Sequence, residues 1–378
     1  MRSVTLSPTG QLAISSTNTS DEKPSVTANV LKPNHVLVRV RAFAINRADL
    51  LVGPSSSDAS TERVPGVECV GTVEDAGSNP TVKGLRVGAT VACFSLSENA
   101  AGAGGGLWKD YVMVPTKNVF PLRVAPAAPG MPLDAGIWSK LAAVPLTFIT
   151  AFGIVDALDL RSGDRLLIRG ATSSIGMAVA TIAKSIGAII ASTTRDPTKA
   201  PSLSNNGADF VILDREGGIS NDVRMMFPSR RLAASRDNLN TMLNDTATSI
   251  DTAGADKAVD LVGITTLKDT ISALRAPGGI CCLAGTLGQP SGADQSPATL
   301  DPTRLLPSGV YLTTFDVNQL DLSRVPLQDI VDRALQKEEF RLNLDRTFLM
   351  DQVGKAGEYI ASGKASGKVV VVVNDEIQ

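Results

Sequence analysis

The chain has 378 residues, enough for two domains with sizeable cores. Its 36 basic and 38 acidic side chains leave a formal net charge of −2, so no nucleic-acid partner is implied, and 4% aromatic content argues against a base-stacking surface. One histidine, His35, and four scattered cysteines, Cys69, Cys93, Cys281 and Cys282, leave a histidine relay, a His-rich metal site and a disulfide framework poorly supplied.

The opening MRSVTLSPTGQLAISS lacks the continuous apolar core of a secretory signal, and Asp21 and Glu22 follow soon after. No run of roughly 18 apolar residues stands out as a membrane span. The cysteines sit in apolar surroundings like small buried hydrophobes, so a reducing, cytoplasmic setting with no membrane partner is expected. Residues 35–45, HVLVRVRAFAI, alternate as a half-buried strand, and GVECVGTVEDAG with RVGATVACF continues the pattern, predicting a small antiparallel barrel-like domain. Near Trp138 the rhythm changes. Residues 141–158 have helical spacing, 165–171 form a short apolar strand, and 176–188 form a helix stopped by Gly187. Strands are then predicted at AIIASTT, 209–213, 258–263, GGICCLAG and 310–316, with a helix near 266–274. Such alternation is the signature of a doubly wound parallel sheet. A helix at QDIVDRALQK and a strand at KVVVVV close the chain, while about 216–257 reads as an insertion rich in loop residues.

The strongest local motif is RLLIRGATSSIGMAVATIAKSIGA. A buried strand enters a small-residue turn, Gly170, Ser173, Ser174, Ile175 and Gly176, and leaves as a helix whose N-terminal N–H groups can hold a diphosphate. After the next strand, the place of an acidic residue for a ribose 2′-hydroxyl holds Thr193, Thr194 and Arg195, with Lys199 following. Arg215, after the third strand, adds a cation. Positive charge at this edge favours NADPH over NADH as cofactor.

Together, VLVRVRAFAINRADLL, VPGVECVGTVEDAG, VKGLRVGATVACF, GLWKDYVMVP, AAVPLTFITAF, the glycine turn, VDLVG, GGICCLAG and SGKASGKVVVVV resemble the medium-chain dehydrogenase/reductase superfamily, in its zinc-independent, quinone-oxidoreductase-like branch. The resemblance implies an α/β chain with a GroES-like β-barrel-type catalytic domain (1–144 and 321–378) around a Rossmann domain (145–320), and an active site in the cleft between them. It also implies a small-molecule substrate and a homodimer or homotetramer. Asn46 and Asp49 match positions near the nicotinamide, and Thr150 a group that hydrogen-bonds its carboxamide. Val262, Gly263, Ala284 and Gly285 match strand ends lining the cofactor, and Lys368 a C-terminal lysine closing over the cleft.

Zinc-dependent relatives place a cysteine where this chain has Asn46 and a histidine where it has Val67, and the four-cysteine lobe is missing after Phe94, so no metal is expected. Hydride addition to a quinone or to an enone or enoyl double bond is then favoured over alcohol oxidation. Relatives with tyrosines soon after NRADL differ from LLVGPSSSDASTERVPG, where Ser55, Ser56 and Ser57 are the nearby hydroxyls. That departure keeps open an alternative, a non-redox cyclase or binding protein retaining the fold.

Overall fold

The computed structural model describes residues 1–7, 9–16, 31–50, 63–77, 84–95, 106–126, 131–215, 218–229, 252–285 and 301–374. Ser55, Ser56 and Ser57, and most of the 216–257 insertion, lie outside them. The chain divides into two compact units: Met1–Ile149 with Asp321–Glu338 and Leu342–Gln378, and Thr150–Leu320 with Glu339–Arg341.

The first unit opens with a hairpin that the Ser- and Thr-rich sequence did not announce. Strands β1 (Arg2–Leu6) and β2 (Leu12–Ser16) pair antiparallel, with Leu6 opposite Leu12. Next come β3 (His35–Ile45), β4 (Glu68–Asp75), β5 (Thr90–Phe94), β6 (Tyr111–Pro115) and β7 (Val119–Leu122). The half-buried alternation expected of β3 fails over Ala42–Ile45, where every residue is buried. The helix Ala135–Ala142 packs on β3, β4 and, further on, the last strand of the chain, covering a face that would otherwise meet water. Phe43 stacks on Trp108 at 4.9 Å in the core below.

The single helix predicted over 141–158 is two helices, Ala135–Ala142 and Pro145–Ala157. Proline lacks an N–H and is tolerated only in a first helical turn, so Pro145 begins the second helix. The stretch Ala135–Ala157 is apolar enough to pass for a membrane span, contrary to the sequence reading, yet 83% of its most apolar window is buried inside the protein.

In the second unit, β8 (Arg165–Arg169), β9 (Ile189–Thr194), β10 (Phe210–Leu213), β11 (Lys257–Asp260), β12 (Ile280–Leu283) and β13 (Tyr311–Thr314) form a parallel sheet in the order β10-β9-β8-β11-β12-β13. This is the 3-2-1-4-5-6 order of a dinucleotide-binding Rossmann sheet, whose switch point lies between β8 and β11. Central strands are almost wholly buried because helices cover both faces.

The chain then returns to the first unit with β14 (Leu344–Leu349) and β15 (Lys368–Val372), giving a sheet of order β14-β15-β3-β4-β5-β7 with β6 paired to β3. Strand β15 runs antiparallel to β3 with Val369 opposite Ile45. That register carries Lys368 to the end of β3, where Asn46 begins the next turn.

Candidate active site

The glycine turn of the second unit forms at the C-terminal end of β8. Gly170 takes φ +80°, a left-handed conformation open to glycine at little cost. Its N–H donates to Thr193 Oγ1 at 3.2 Å, tying the turn to β9. Ser173 caps the helix Ser174–Ile186: its Oγ accepts from Gly176 N at 3.1 Å and donates to the Gly170 carbonyl at 2.9 Å. Ser173 is thus committed to shaping the turn. The N–H groups of Ser174 and Ile175, in the first turn, have no intrahelical acceptor and can serve an anion. Gly187 ends the helix with φ +95°.

Across the switch point, Asp260 ends β11 fully buried. Its carboxylate accepts from Val262 N and Gly263 N, both at 2.9 Å, from Thr266 Oγ1 at 2.9 Å and from Thr270 Oγ1 at 2.6 Å. The Asp260 carbonyl accepts from Ala284 N and Gly285 N. One residue therefore orders both strand-end segments, Val262–Gly263 and Ala284–Gly285, that the sequence assigned to the cofactor. A side chain at Gly285 would overlap the Leu261 backbone.

Arg169, immediately before the turn, is buried. Its Nε and Nη2 donate to the two carboxylate oxygens of Asp214 at 2.9 and 2.8 Å, and Nη1 donates to Asp269 Oδ2 at 2.7 Å. Burial alone would disfavour the guanidinium charge, but the two carboxylates raise its pKa. Burial likewise pushes the Asp269 carboxyl upward, and the Ile219 N–H with Arg169 overcomes it to hold the group below its ordinary range. Thr194 is buried, with its hydroxyl on the Asp196 carbonyl at 3.0 Å. Arg195 and Arg215 are exposed and Lys199 is half-buried.

In the first unit the structure gathers Asn46, Asp49 and Lys368, and adds Glu68. Lys368 Nζ donates to Asn46 Oδ1 at 2.6 Å and Glu68 Oε1 at 3.0 Å, and Asn46 Nδ2 donates to Glu68 Oε1 at 3.0 Å and Asp49 Oδ2 at 3.1 Å. Glu68 Oε2 accepts from Leu146 N at 2.8 Å, and Asp49 Oδ1 from Val67 N at 3.1 Å. Glu68, Asp49 and Lys368 are only 1%, 3% and 3% exposed. Burial lifts the Asp49 carboxyl from 3.8 to about 6, aided by the Glu68 charge and opposed by Asn46 hydrogen bonds and by Lys368. Lys368, assigned from sequence to the cofactor, bonds Asn46 and Glu68 within this unit, because the β15 register delivers its ammonium to a buried carboxylate. Thr150, buried, opens the second unit within the helix Pro145–Ala157.

A zinc ion does not fit these donors. Val67 offers no ligand, and Asn46 Oδ1 and Glu68 Oε1 are both spent on an ammonium. Cys69 and Cys93 face each other across β4 and β5, buried, and the hydrogen bond with Cys93, then burial, raises the Cys69 thiol well above its ordinary pKa. Among the described residues, no three His, Cys, Asp or Glu side chains are grouped as a metal site would require.

Local reading missed Glu68, Arg169, Asp214 and Asp260 as organising groups. Two carried a visible signal: a charged residue next to an apolar strand, as in VDLVG and VECVG, is buried with the strand and must be compensated.

Residues 32–124 match the alcohol dehydrogenase GroES-like domain, and residues 236–371 the zinc-binding dehydrogenase domain. A polyketide synthase system protein of Streptomyces orinoci is 35% identical over 182 residues, and a mouse synaptic vesicle membrane protein VAT-1 homolog-like protein 31% over 152. These stretches cover 47% and 39% of this chain but only 7% and 32% of those relatives. A mycobacterial protein solved as a complex with NADPH superposes with TM-score 0.70 at 18% identity, covering 98% of this chain and 100% of that one. The quinone oxidoreductase of Coxiella burnetii gives TM-score 0.65 at 16% identity, with 99% of each chain covered. At such identities the structures speak for the fold alone. With both family domains matched in order over more than half of the chain, the chain belongs to the medium-chain dehydrogenase/reductase superfamily.

Proposed function

We propose that the protein is an NADPH-dependent, zinc-free reductase of a quinone or of an enone or enoyl double bond. The observation that carries this reading is the capped glycine turn at the switch point of the Rossmann sheet, with Arg195, Lys199 and Arg215 at its β9–β10 edge. Bound NADPH would supply hydride to the electron-poor carbon or quinone oxygen of the acceptor. The Ser174 and Ile175 N–H groups hold the diphosphate, the three cations hold the 2′-phosphate, and Thr150 hydrogen-bonds the carboxamide. The segments Val262–Gly263 and Ala284–Gly285, fixed by Asp260, line the dinucleotide. Asn46 and Asp49 order the acceptor. The proton that accompanies hydride comes from water or a side chain other than a tyrosine after the NRADL segment, where the sequence has none. Positioning rather than Lewis-acid activation lowers the barrier. A small-molecule substrate, a cytoplasmic setting and a homodimer or homotetramer complete the proposal.

The test follows loss of nicotinamide absorbance with a panel of quinones, enones and enoyl thioesters, alongside calorimetric binding of NADPH. Turnover with at least one class supports the reading. Tight NADPH binding with no turnover favours the non-redox alternative, and no binding at millimolar NADPH overturns both.

A further inference from the structure

Strand β10 pairs in parallel with β9, Leu213 opposite Thr194, and the Asp214 N–H donates to the Thr194 carbonyl at 2.8 Å. Asp214 therefore begins its loop beside the point where Arg195 begins the neighbouring one, and Arg215 follows directly. An unpaired carboxylate at this edge suits a ribose diol, accepting its hydroxyls, and repels a phosphate. Asp214 is not such a group. The guanidinium of Arg169 bonds both of its oxygens in the two-point geometry that carboxylate and guanidinium share, with the Arg169 side chain only 4% exposed. Arg169 is fixed from the other side by Asp269, by Thr270 Oγ1 and by the Thr266 carbonyl, both at 3.2 Å. It cannot swing away to release Asp214.

We infer that Arg169 is a specificity-determining residue for NADPH over NADH, acting by withdrawing the Asp214 carboxylate from the β9–β10 edge where Arg195 and Arg215 stand. The inference rests on the cofactor reading above. Arg169 touches no phosphate itself. By holding both Asp214 oxygens it withdraws from the edge an acceptor that would reward a 2′-hydroxyl, and offsets a charge that would oppose a 2′-phosphate beside Arg215. Asp196, the other carboxylate nearby, is engaged by Thr198 N at 2.9 Å and Thr198 Oγ1 at 2.6 Å as the cap of the following turn.

The experiment is calorimetric titration of wild type, Arg169→Met, Arg169→Lys, Asp214→Asn and Arg169→Met/Asp214→Asn with NADPH, NADH and adenosine 2′,5′-bisphosphate, with circular dichroism as the check on folding. Arg169→Met frees the Asp214 carboxylate and should cut the NADPH-over-NADH preference about tenfold, weakening the bisphosphate in parallel. Asp214→Asn alone should leave the preference within about twofold, because both of its oxygens are already engaged by Arg169, and the double variant should return to near the wild-type ratio. Should Arg169→Met fail to fold, Arg169→Lys, which keeps the charge but bonds a single oxygen, should still reduce the preference about threefold. Wild-type ratios in a folded Arg169→Met or Arg169→Lys overturn the inference, as does a double variant that keeps the altered ratio of Arg169→Met. A wild type that binds neither dinucleotide, or both alike, overturns the cofactor reading and this inference with it. Preference for NADPH in wild type with unmoved Arg169 variants overturns this inference alone.

Discussion

Replacing Lys368 with methionine removes the only ammonium in the Asn46–Asp49–Glu68 cluster and keeps most of the buried volume. The Lys368 side chain is 3% exposed and that of Glu68 1%, so the remaining carboxylate cannot be rescued by solvent. Breaking a buried pair from one side costs about 3–5 kcal/mol. Glu68 would retain the Leu146 N–H at 2.8 Å and Asn46 Nδ2 at 3.0 Å, two donors that soften the loss, so the lower figure, about 3 kcal/mol, is expected. Urea unfolding followed by tryptophan fluorescence reads this directly, because the two tryptophans, Trp108 and Trp138, both belong to the first unit. Lys368→Met/Glu68→Gln removes the stranded charge as well and should recover about 2 kcal/mol of the loss. A loss below about 1 kcal/mol in Lys368→Met, or strict additivity with Glu68→Gln, would refute the claim that the pair is coupled.

Asp49 makes the first unit sensitive to pH in an unusual direction. Its folded value, about 6, lies above the 3.8 of the unfolded chain, so ionisation costs stability: nothing below 3.8, progressively more as pH rises through the window, and fully above about 6. The gap corresponds to about 3 kcal/mol, and Asp49→Asn, measured by urea midpoints from pH 4 to 7, should flatten this part of the profile; an unchanged profile counts against it. At Gly176, a Cβ would lie 2.7 Å from Ala171 Cα and 2.9 Å from its carbonyl, so Gly176→Ala should spread the turn. NADPH affinity should then fall at least tenfold by calorimetry, with a loss of about 1–3 kcal/mol in stability, as for an overpacked core. Arg195→Ala should weaken NADPH about tenfold and NADH by less than twofold, the difference of about 1.4 kcal/mol being the 2′-phosphate contribution; equal weakening would show that Arg195 lies elsewhere.

Much of the second unit was legible because its signals are local. The turn, its serine cap and its Gly187 stop lie within one short stretch, and each residue type there has a mechanical reason for its position. Strand and helix alternation then predicts a parallel sheet without any knowledge of pairing. What escaped was created by register. Asn46 and Lys368 are far apart in sequence and meet only because β15 runs antiparallel to β3 with Val369 on Ile45. Arg169 reads as the tail of an apolar strand until β10 and the helix Ile264–Ser272 bring Asp214 and Asp269 beside it. The break before Pro145 was written in the sequence and overlooked, since helical spacing of the apolar residues runs straight through it.

Asp260 and Glu68 have their buried charges compensated differently, and the difference matters for what each can do. Asp260 is held by two N–H and two hydroxyl donors, so its negative charge is solvated by dipoles. The two N–H donors belong to Val262–Gly263 and the two hydroxyls to the helix that follows, so the charge fixes backbone at the switch point. Glu68 and Lys368 instead cancel, with Asn46 clamped between them, accepting from Lys368 and donating to Glu68. An amide so clamped has one orientation, because reversing it would set its NH2 against the ammonium and its oxygen against a carboxylate. A metal would hold the same neighbourhood by coordination, whereas here an ion pair and a clamped amide hold it. Under the proposed function, an acceptor already electron-poor enough to take hydride suits a neighbourhood organised in this way, which is why quinones and enones are proposed ahead of simple ketones.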